Sequence, residues 1–174
     1  MPARPGACQA ALCRRESGIR ALGIRCGLVH TEIKLTPTGP RIIEVNGRLA
    51  GDIGRLMRRA SDTDPVRLAL ELAIGLPVAR RPATFRNAVL HYAVVPPVRA
   101  VTVRELASAA TLRALPGVWS VDRRARVGAT LDWRRGTQDL VFMVFAEAAT
   151  AHDVPEVLKT LNATARGCVG YAPA

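Results

Sequence analysis

The sequence predicts an α+β fold in two parts, and three of its features support this prediction. A pair of strands joined by a short turn is indicated between residues 28 and 45. A helix with clear start and stop signals follows, and a segment rich in proline and arginine separates it from the second half of the chain. The second half follows the order β-α-β-β-α, which is typical of a small α+β sandwich.

The first part is expected to contain a helix, a strand pair and a short second helix. Residues 7–22 form the first helix, with an interruption near Gly18. The strands cover residues 28–36 and 41–45, and the second strand extends a little further. Residues 49–63 are punctuated by glycines, so a loop with a short helix is expected there.

The next helix is bracketed at both ends. Asp64 is a good N-cap, Pro65 suits the first helical position, and Pro77 helps to stop the helix. Apolar residues at helical spacing are expected to form its buried face: Val66, Leu70, Ala73 and Ile74.

The second part begins with a strand at residue 87. Its predicted elements are a strand over 87–95, a helix from 102 or 103 to 115, strands over 118–127 and 139–147, a helix over 154–165 and, as an option, a short strand over 168–171. We therefore expect a first domain over residues 1–78, a linker over 79–85 and a second domain over 86–174.

Length and composition exclude several classes of protein. The chain has 174 residues, of which 49% are hydrophobic and 22% charged, so it can bury a core and is not a disordered tail. It has no apolar stretch of about 18 residues and no signal-peptide core, so a cytoplasmic protein is expected. The four cysteines form no Cys-x-x-Cys pair, which favours scattered, reduced thiols.

The net charge of +11 comes almost entirely from arginine, and such an excess can mark a nucleic-acid surface. The arginines, however, occur as scattered pairs rather than as one stripe, and only 4% of the residues are aromatic, too few for a base-stacking platform. Compositional bias, with a few arginines serving anionic substrates, is the favoured interpretation. An arginine-rich nucleic-acid-binding domain and a non-catalytic interaction module are the alternatives.

The strand pair is expected to carry polar side chains on one face. Residues 37–39, Pro-Thr-Gly, suit a three-residue turn with a left-handed glycine at its end. Glu32 then lies opposite Glu44, and His30 lies opposite Asn46. On the other, mostly apolar face, which is expected to meet the core, the facing pairs are Ile33 with Ile43 and Thr31 with Val45.

Two carboxylates directly across an antiparallel pair have Cβ atoms about 4.5–5.5 Å apart and repel each other. A positive charge between Glu32 and Glu44 would remove that cost, and either Lys34 or a divalent cation could supply it. Mg²⁺ takes oxygen ligands from carboxylates and substrate phosphates, and the amide oxygen of Asn46 could add one more. A half-exposed hairpin with a polar wet face is the simpler alternative, and the surrounding motif favours the cation.

The motif consists of residues 30–36, His-Thr-Glu-Ile-Lys-Leu-Thr, and residues 39–52, Gly-Pro-Arg-Ile-Ile-Glu-Val-Asn-Gly-Arg-Leu-Ala-Gly-Asp. It resembles the end of the ATP-grasp domain of carboxylate–amine ligases, the relatives of L-amino acid ligase and biotin carboxylase. In that superfamily a glutamate on one strand precedes a Glu-x-Asn-x-Arg on the next. Residues from about 86 onward resemble, less specifically, the small C-terminal domain of L-amino acid ligases.

The resemblance implies a role for each residue of the motif. Glu32, Glu44 and Asn46 are expected to hold Mg²⁺ (or Mn²⁺) and, through it, the phosphates of ATP. Arg48 is expected to be catalytic, because it would steady the transferred phosphate or the acyl phosphate. His30 could orient a substrate group, act as an acid or base, or be a neutral strand residue.

The implied function is an ATP- and Mg²⁺-dependent ligase that joins an amino acid or other small carboxylate to an amine through an acyl phosphate. ATP-grasp enzymes also need an upstream part with nucleotide-contacting lysines and a flexible glycine-rich loop. Only about 30 residues precede the hairpin, and they contain no lysine. The chain is therefore expected to correspond to the C-terminal part of such an enzyme and to be inactive by itself.

Overall fold

A computed structural model describes residues 5–78 and 81–174, apart from the side chains of residues 5, 7 and 8, and forms two compact units, Met1–Thr84 and Phe85–Ala174. Both units combine helices with antiparallel strands, which confirms the predicted α+β class. Residues 79 and 80 of the predicted linker lie outside the described part of the chain. Within that part, no helix is both long and apolar enough to cross a bilayer.

The first unit contains a helix packed on a strand pair, followed by two short helices. Its elements are α1 (Pro5–Ala21), β1 (His30–Thr36), β2 (Gly39–Asn46), α2 (Ile53–Ala60) and α3 (Pro65–Ala73). The predicted interruption near Gly18 is wrong, because α1 runs through this residue. A Cβ atom at Gly18 would lie 2.5 Å from Cδ1 of Ile42, so the glycine allows β2 to approach the helix closely.

The start of α3 agrees with the sequence, but its buried face does not. The Asp64 side chain accepts hydrogen bonds from the backbone N–H groups of Val66 and Arg67 at 3.0 and 3.2 Å, as an N-cap does. The residues predicted to be buried are all exposed: Val66, Leu70, Ala73 and Ile74. Leu68 and Leu72 are half-buried instead. Because α3 is apolar on both sides, its periodicity could not select the face that packs.

The second unit contains two three-stranded antiparallel sheets, in the strand orders β3-β7-β5 and β6-β4-β8. Its elements are β3 (Ala88–Val94), β4 (Ala100–Leu106), α4 (Ala109–Arg113), β5 (Val118–Arg123), β6 (Thr130–Asp132), a 3-10 segment (Trp133–Asp139), β7 (Phe142–Ala148), α5 (Val154–Gly167) and β8 (Val169–Pro173). The core is built mainly from β4, β7 and the two helices and includes Val101, Val103, Leu112, Phe142, Val144 and Leu161.

The helix predicted from residue 102 or 103 to residue 115 is wrong over its first half. Ala100–Leu106 is the strand β4, in which Val101 and Val103 alternate with Thr102 and are fully buried. Branched side chains at a period of two favour a strand. The helix begins only after Ser108, whose hydroxyl oxygen accepts from the N–H of Ala110 at 3.2 Å. The strand predicted over 118–127 is likewise shorter and ends at Arg123.

A glycine fixes the turn between α4 and β5. Gly117 has a φ of +78°, and its carbonyl oxygen accepts a hydrogen bond from the N–H of Glu147 at 2.9 Å. A Cβ atom at this position would overlap the carbonyl oxygen of Glu147. The turn therefore requires glycine both for its backbone conformation and for its contact with β7.

Candidate functional site

The hairpin of β1 and β2 brings the two predicted carboxylates face to face. Glu32 pairs with Glu44, and His30 pairs with Asn46, as the sequence predicts. The register shifts between Glu32 and Ile33, so that Ile33 pairs with Ile42. One extra residue in β2 is the mark of a β-bulge. The bulge lies on the turn side of the glutamate pair and leaves that pair in register.

The bulge corrects two other predictions about this hairpin. Thr36 pairs with Gly39, so two residues connect the strands where the sequence predicts three; Gly39 has a φ of +104°. Ile43, expected on the core face, is 60% exposed, whereas Ile42 is half-buried beside Gly18. An inserted residue reverses the alternation of faces on one side of the bulge, which explains the exchange of the two isoleucines.

The side chains of the glutamate pair form a compact group with His30. One ligand atom from each of His30, Glu32 and Glu44 lies within 4.8 Å of the others. The Nδ2 atom of Asn46 donates a hydrogen bond to Oε1 of Glu44. Both glutamates are exposed, while His30 and Asn46 are half-buried.

No lysine or arginine forms an ion pair with either glutamate among the described residues. Lys34, one of the two predicted sources of positive charge, pairs with Arg41 across the hairpin and forms no ion pair with a carboxylate of the described chain. The second source, a divalent cation, fits the donor set, because carboxylate oxygens and an amide oxygen suit a hard ion. A half-turn of the Asn46 amide would turn its oxygen toward such an ion.

Arg48 lies outside this cluster. β2 ends at Asn46, and Arg48 follows it in an exposed turn, where Nη1 donates to the carbonyl oxygen of Leu49 at 3.1 Å. The guanidinium has no ion-pair partner in the described part of the chain. The geometry therefore brings together Glu32, Glu44 and Asn46, while Arg48 lies two residues beyond the end of β2 and forms no hydrogen bond or ion pair with these three side chains.

His30, for which the sequence allows three alternative roles, lies in this group. Its Nδ1 atom is buried and has no hydrogen-bond partner in the described structure. The strand register identifies this residue as part of the site. His30 lies opposite Asn46 and two positions before Glu32, so its side chain is on the same face of the hairpin as theirs.

Known proteins resemble this chain over short segments that make up small parts of longer sequences. No family model matches the sequence. Carnosine synthase 1 of Gallus gallus is 43% identical over 67 residues, which are 37% of this chain and 7% of that protein. The uncharacterized protein y4rH of Sinorhizobium fredii is 43% identical over 58 residues, which are 33% of this chain and 12% of that protein.

The solved structures that match this chain include two that cover its whole length. The L-amino acid ligase from Bacillus licheniformis matches with a TM-score of 0.82 and 16% identity, and the chain covers 43% of it. Phosphoribosylglycinamide synthetase from Anaerococcus prevotii matches with a TM-score of 0.75 and 14% identity, and the chain covers 44% of it. The chain thus spans less than half of each protein, and the likeness confirms the predicted fold.

Proposed function

Because the chain has the fold of part of an ATP-grasp ligase, we propose that it supplies the cation-binding strand pair of an ATP-dependent enzyme that joins a carboxylate to an amine. The observation that carries the proposal is the register of Glu32 opposite Glu44, with no protein cation between them among the described residues. Residues 1–78 would be the end of the ATP-grasp domain, and residues 86–174 would be the small domain that follows it.

Three side chains would hold the cation. Glu32 and Glu44 supply carboxylate oxygens, and Asn46 supplies an amide oxygen once its amide turns away from the Glu44 hydrogen bond. Bound there, Mg²⁺ or Mn²⁺ would neutralise charge on the phosphates of ATP. The register of the hairpin positions these ligands. The helix α1 packs on β2 and supports that strand.

The reaction would proceed in two displacements. A carboxylate oxygen attacks the γ-phosphorus of ATP and ADP leaves; the amine nitrogen then attacks the acyl carbon and phosphate leaves. Arg48 would steady the acyl phosphate, because a guanidinium offers a forked donor that matches phosphate oxygens. Its guanidinium forms no ion pair among the described residues, and its hydrogen bond to the carbonyl oxygen of Leu49 leaves its other N–H groups to donate to a phosphate.

The substrates would be an amino acid or another small carboxylate and an amine. The names of the L-amino acid ligase and of carnosine synthase 1 support this class. The scattering of the arginines along the chain, rather than in one stripe, also favours it over a nucleic-acid surface. Several of the described arginines pair with carboxylates of their own unit, such as Arg134 with Asp132 at 2.7 Å and Arg81 with Asp62 at 2.9 Å.

Equilibrium dialysis of ATP against the chain tests the proposal. We expect weak ATP retention that requires Mn²⁺, disappears with EDTA and in Glu44→Gln, and persists in Glu16→Gln, which makes the same charge change on α1. The proposal would be contradicted if the chain retained ATP equally well in EDTA and in Glu44→Gln, or if it retained no ATP at all. Phosphate release from ATP with free amino acids should be negligible for this chain alone; substantial release that Glu44→Gln abolishes would refute the expectation that the chain is inactive by itself.

A further inference from the structure

We propose that His30 is a nitrogen ligand of the same cation site and that it makes the site prefer Mn²⁺ to Mg²⁺. The inference rests on the proposed function, because it concerns the cation held by Glu32 and Glu44. It adds an imidazole to a set of ligands that would otherwise contain oxygen alone.

The register places His30 at the fourth corner of a square of side chains. Glu32 and Glu44 face each other across the hairpin, and His30 and Asn46 form the next pair on the same face. Ligand atoms of His30, Glu32 and Glu44 already lie within 4.8 Å of one another. Two metal–ligand bonds of about 2.0–2.2 Å span up to about 4.4 Å. Small rotations of the two exposed carboxylates would close the remaining distance.

The hydrogen-bonding state of His30 supports the same role. Nearly all buried polar atoms in proteins have a partner. The Nδ1 atom of His30 is buried, and the described residues supply no partner for it. The imidazole thus has unused bonding capacity beside two carboxylates that form no ion pair with a described lysine or arginine. A cation that His30 binds through Nδ1 would satisfy both deficiencies.

The chemical identity of the ligand determines the preference. Mg²⁺ requires near-ideal octahedral oxygen coordination and rarely takes nitrogen, whereas imidazole suits first-row transition ions. Asparagine in place of His30 would substitute an oxygen donor. We therefore expect His30→Asn to lower the ratio of Mn²⁺ affinity to Mg²⁺ affinity by at least about tenfold.

Pulsed EPR of Mn²⁺ bound to the whole chain tests the assignment directly, since it detects hyperfine coupling from a coordinated ¹⁴N nucleus. We expect this coupling in the wild-type chain and in the control His152→Asn, whose substituted side chain lies in an exposed turn of the second unit. We expect its loss in His30→Asn with Mn²⁺ still bound. Labelling the histidines of the wild-type chain with ¹⁵N should replace the ¹⁴N coupling, so the test does not depend on the folding of a variant.

The outcomes separate this inference from the proposed function. If Mn²⁺ binds in a manner that depends on Glu44 but the wild-type chain has no imidazole coupling, the assignment of His30 is wrong and the proposed function stands. Coupling that persists in His30→Asn also overturns the assignment. If the wild-type chain does not bind Mn²⁺ at all, the proposed function fails and the inference fails with it.

Discussion

Replacing Glu44 by glutamine should weaken the binding of a divalent cation and, at the same time, stabilise the metal-free hairpin. The substitution keeps the shape of the side chain and removes one negative charge from a pair that faces directly across β1 and β2. The two effects have opposite signs, and both follow from the same register.

Both magnitudes can be worked from the geometry. At a metal–oxygen distance of about 2.1 Å in water, a divalent cation and a unit charge attract each other by about 4 kcal/mol, so removing one carboxylate charge should cost up to about that much. This corresponds to a Kd that rises by up to about 1,000-fold. Without metal, relief of the cross-strand repulsion between Glu32 and Glu44 should stabilise the hairpin by about 0.2–1 kcal/mol. Because both glutamates are exposed, bulk water is the appropriate dielectric.

Isothermal titration with Mn²⁺ measures the first effect, and hydrogen exchange of the β1 and β2 amides in EDTA measures the second. Amide exchange in Glu44→Gln should slow by up to about fivefold. Glu16→Gln on α1 removes the same charge from the same unit and should change neither quantity appreciably. Unchanged Mn²⁺ affinity in Glu44→Gln, or an equal loss of affinity in Glu16→Gln, would refute the argument from cross-strand pairing.

Three further predictions concern the second unit, whose two tryptophans report its unfolding by fluorescence in urea. Leu112→Ala should lower the free energy of unfolding by about 2–5 kcal/mol because the side chain is fully buried, whereas Leu158→Ala at a 38% exposed position should cost less than about 1 kcal/mol. Gly117→Ala should cost at least about 1 kcal/mol more than Gly128→Ala, since both glycines have positive φ but only the first meets backbone; equal losses would contradict this. Burial raises the pKa of the Cys168 thiol, so this thiol should react slowly with iodoacetamide at pH 8, whereas the exposed Cys13 and Cys26 should react. Mass spectrometry identifies the modified residues, and rapid alkylation of Cys168 in the folded protein would be inconsistent with the structure.

The sequence was sufficient to predict which residues of the hairpin share a face, because alternation and one pair of opposite residues determine a register. Glu32, Glu44, His30 and Asn46 were placed correctly for this reason. The bulge could not be predicted, since nothing in the run of two isoleucines indicates which of them leaves the ladder. The close approach at Gly18, which accommodates Ile42 and not Ile43, depends on tertiary packing.

The errors elsewhere have the same origin. The sequence around Val101 and Val103 fits a strand by alternation, but the alanine-rich stretch after it favours a helix, and the prediction extended that helix too far toward the N-terminus. In α3, apolar residues occur on two sides, and only the packed structure selects the side of Leu68. Local patterns determine periodicity, whereas long-range contacts determine which face is buried.

Paramagnetic broadening tests most directly the central claim that β1 and β2 form a divalent-cation site. Substoichiometric Mn²⁺ is added to the ¹⁵N-labelled chain, and the amide resonances are followed individually. We expect the amides around Glu32 and Glu44 to broaden first and excess Mg²⁺ to reverse the effect. Broadening that begins instead at carboxylates of the second unit, such as Asp132 or Asp139, or that is uniform over the chain, would contradict it.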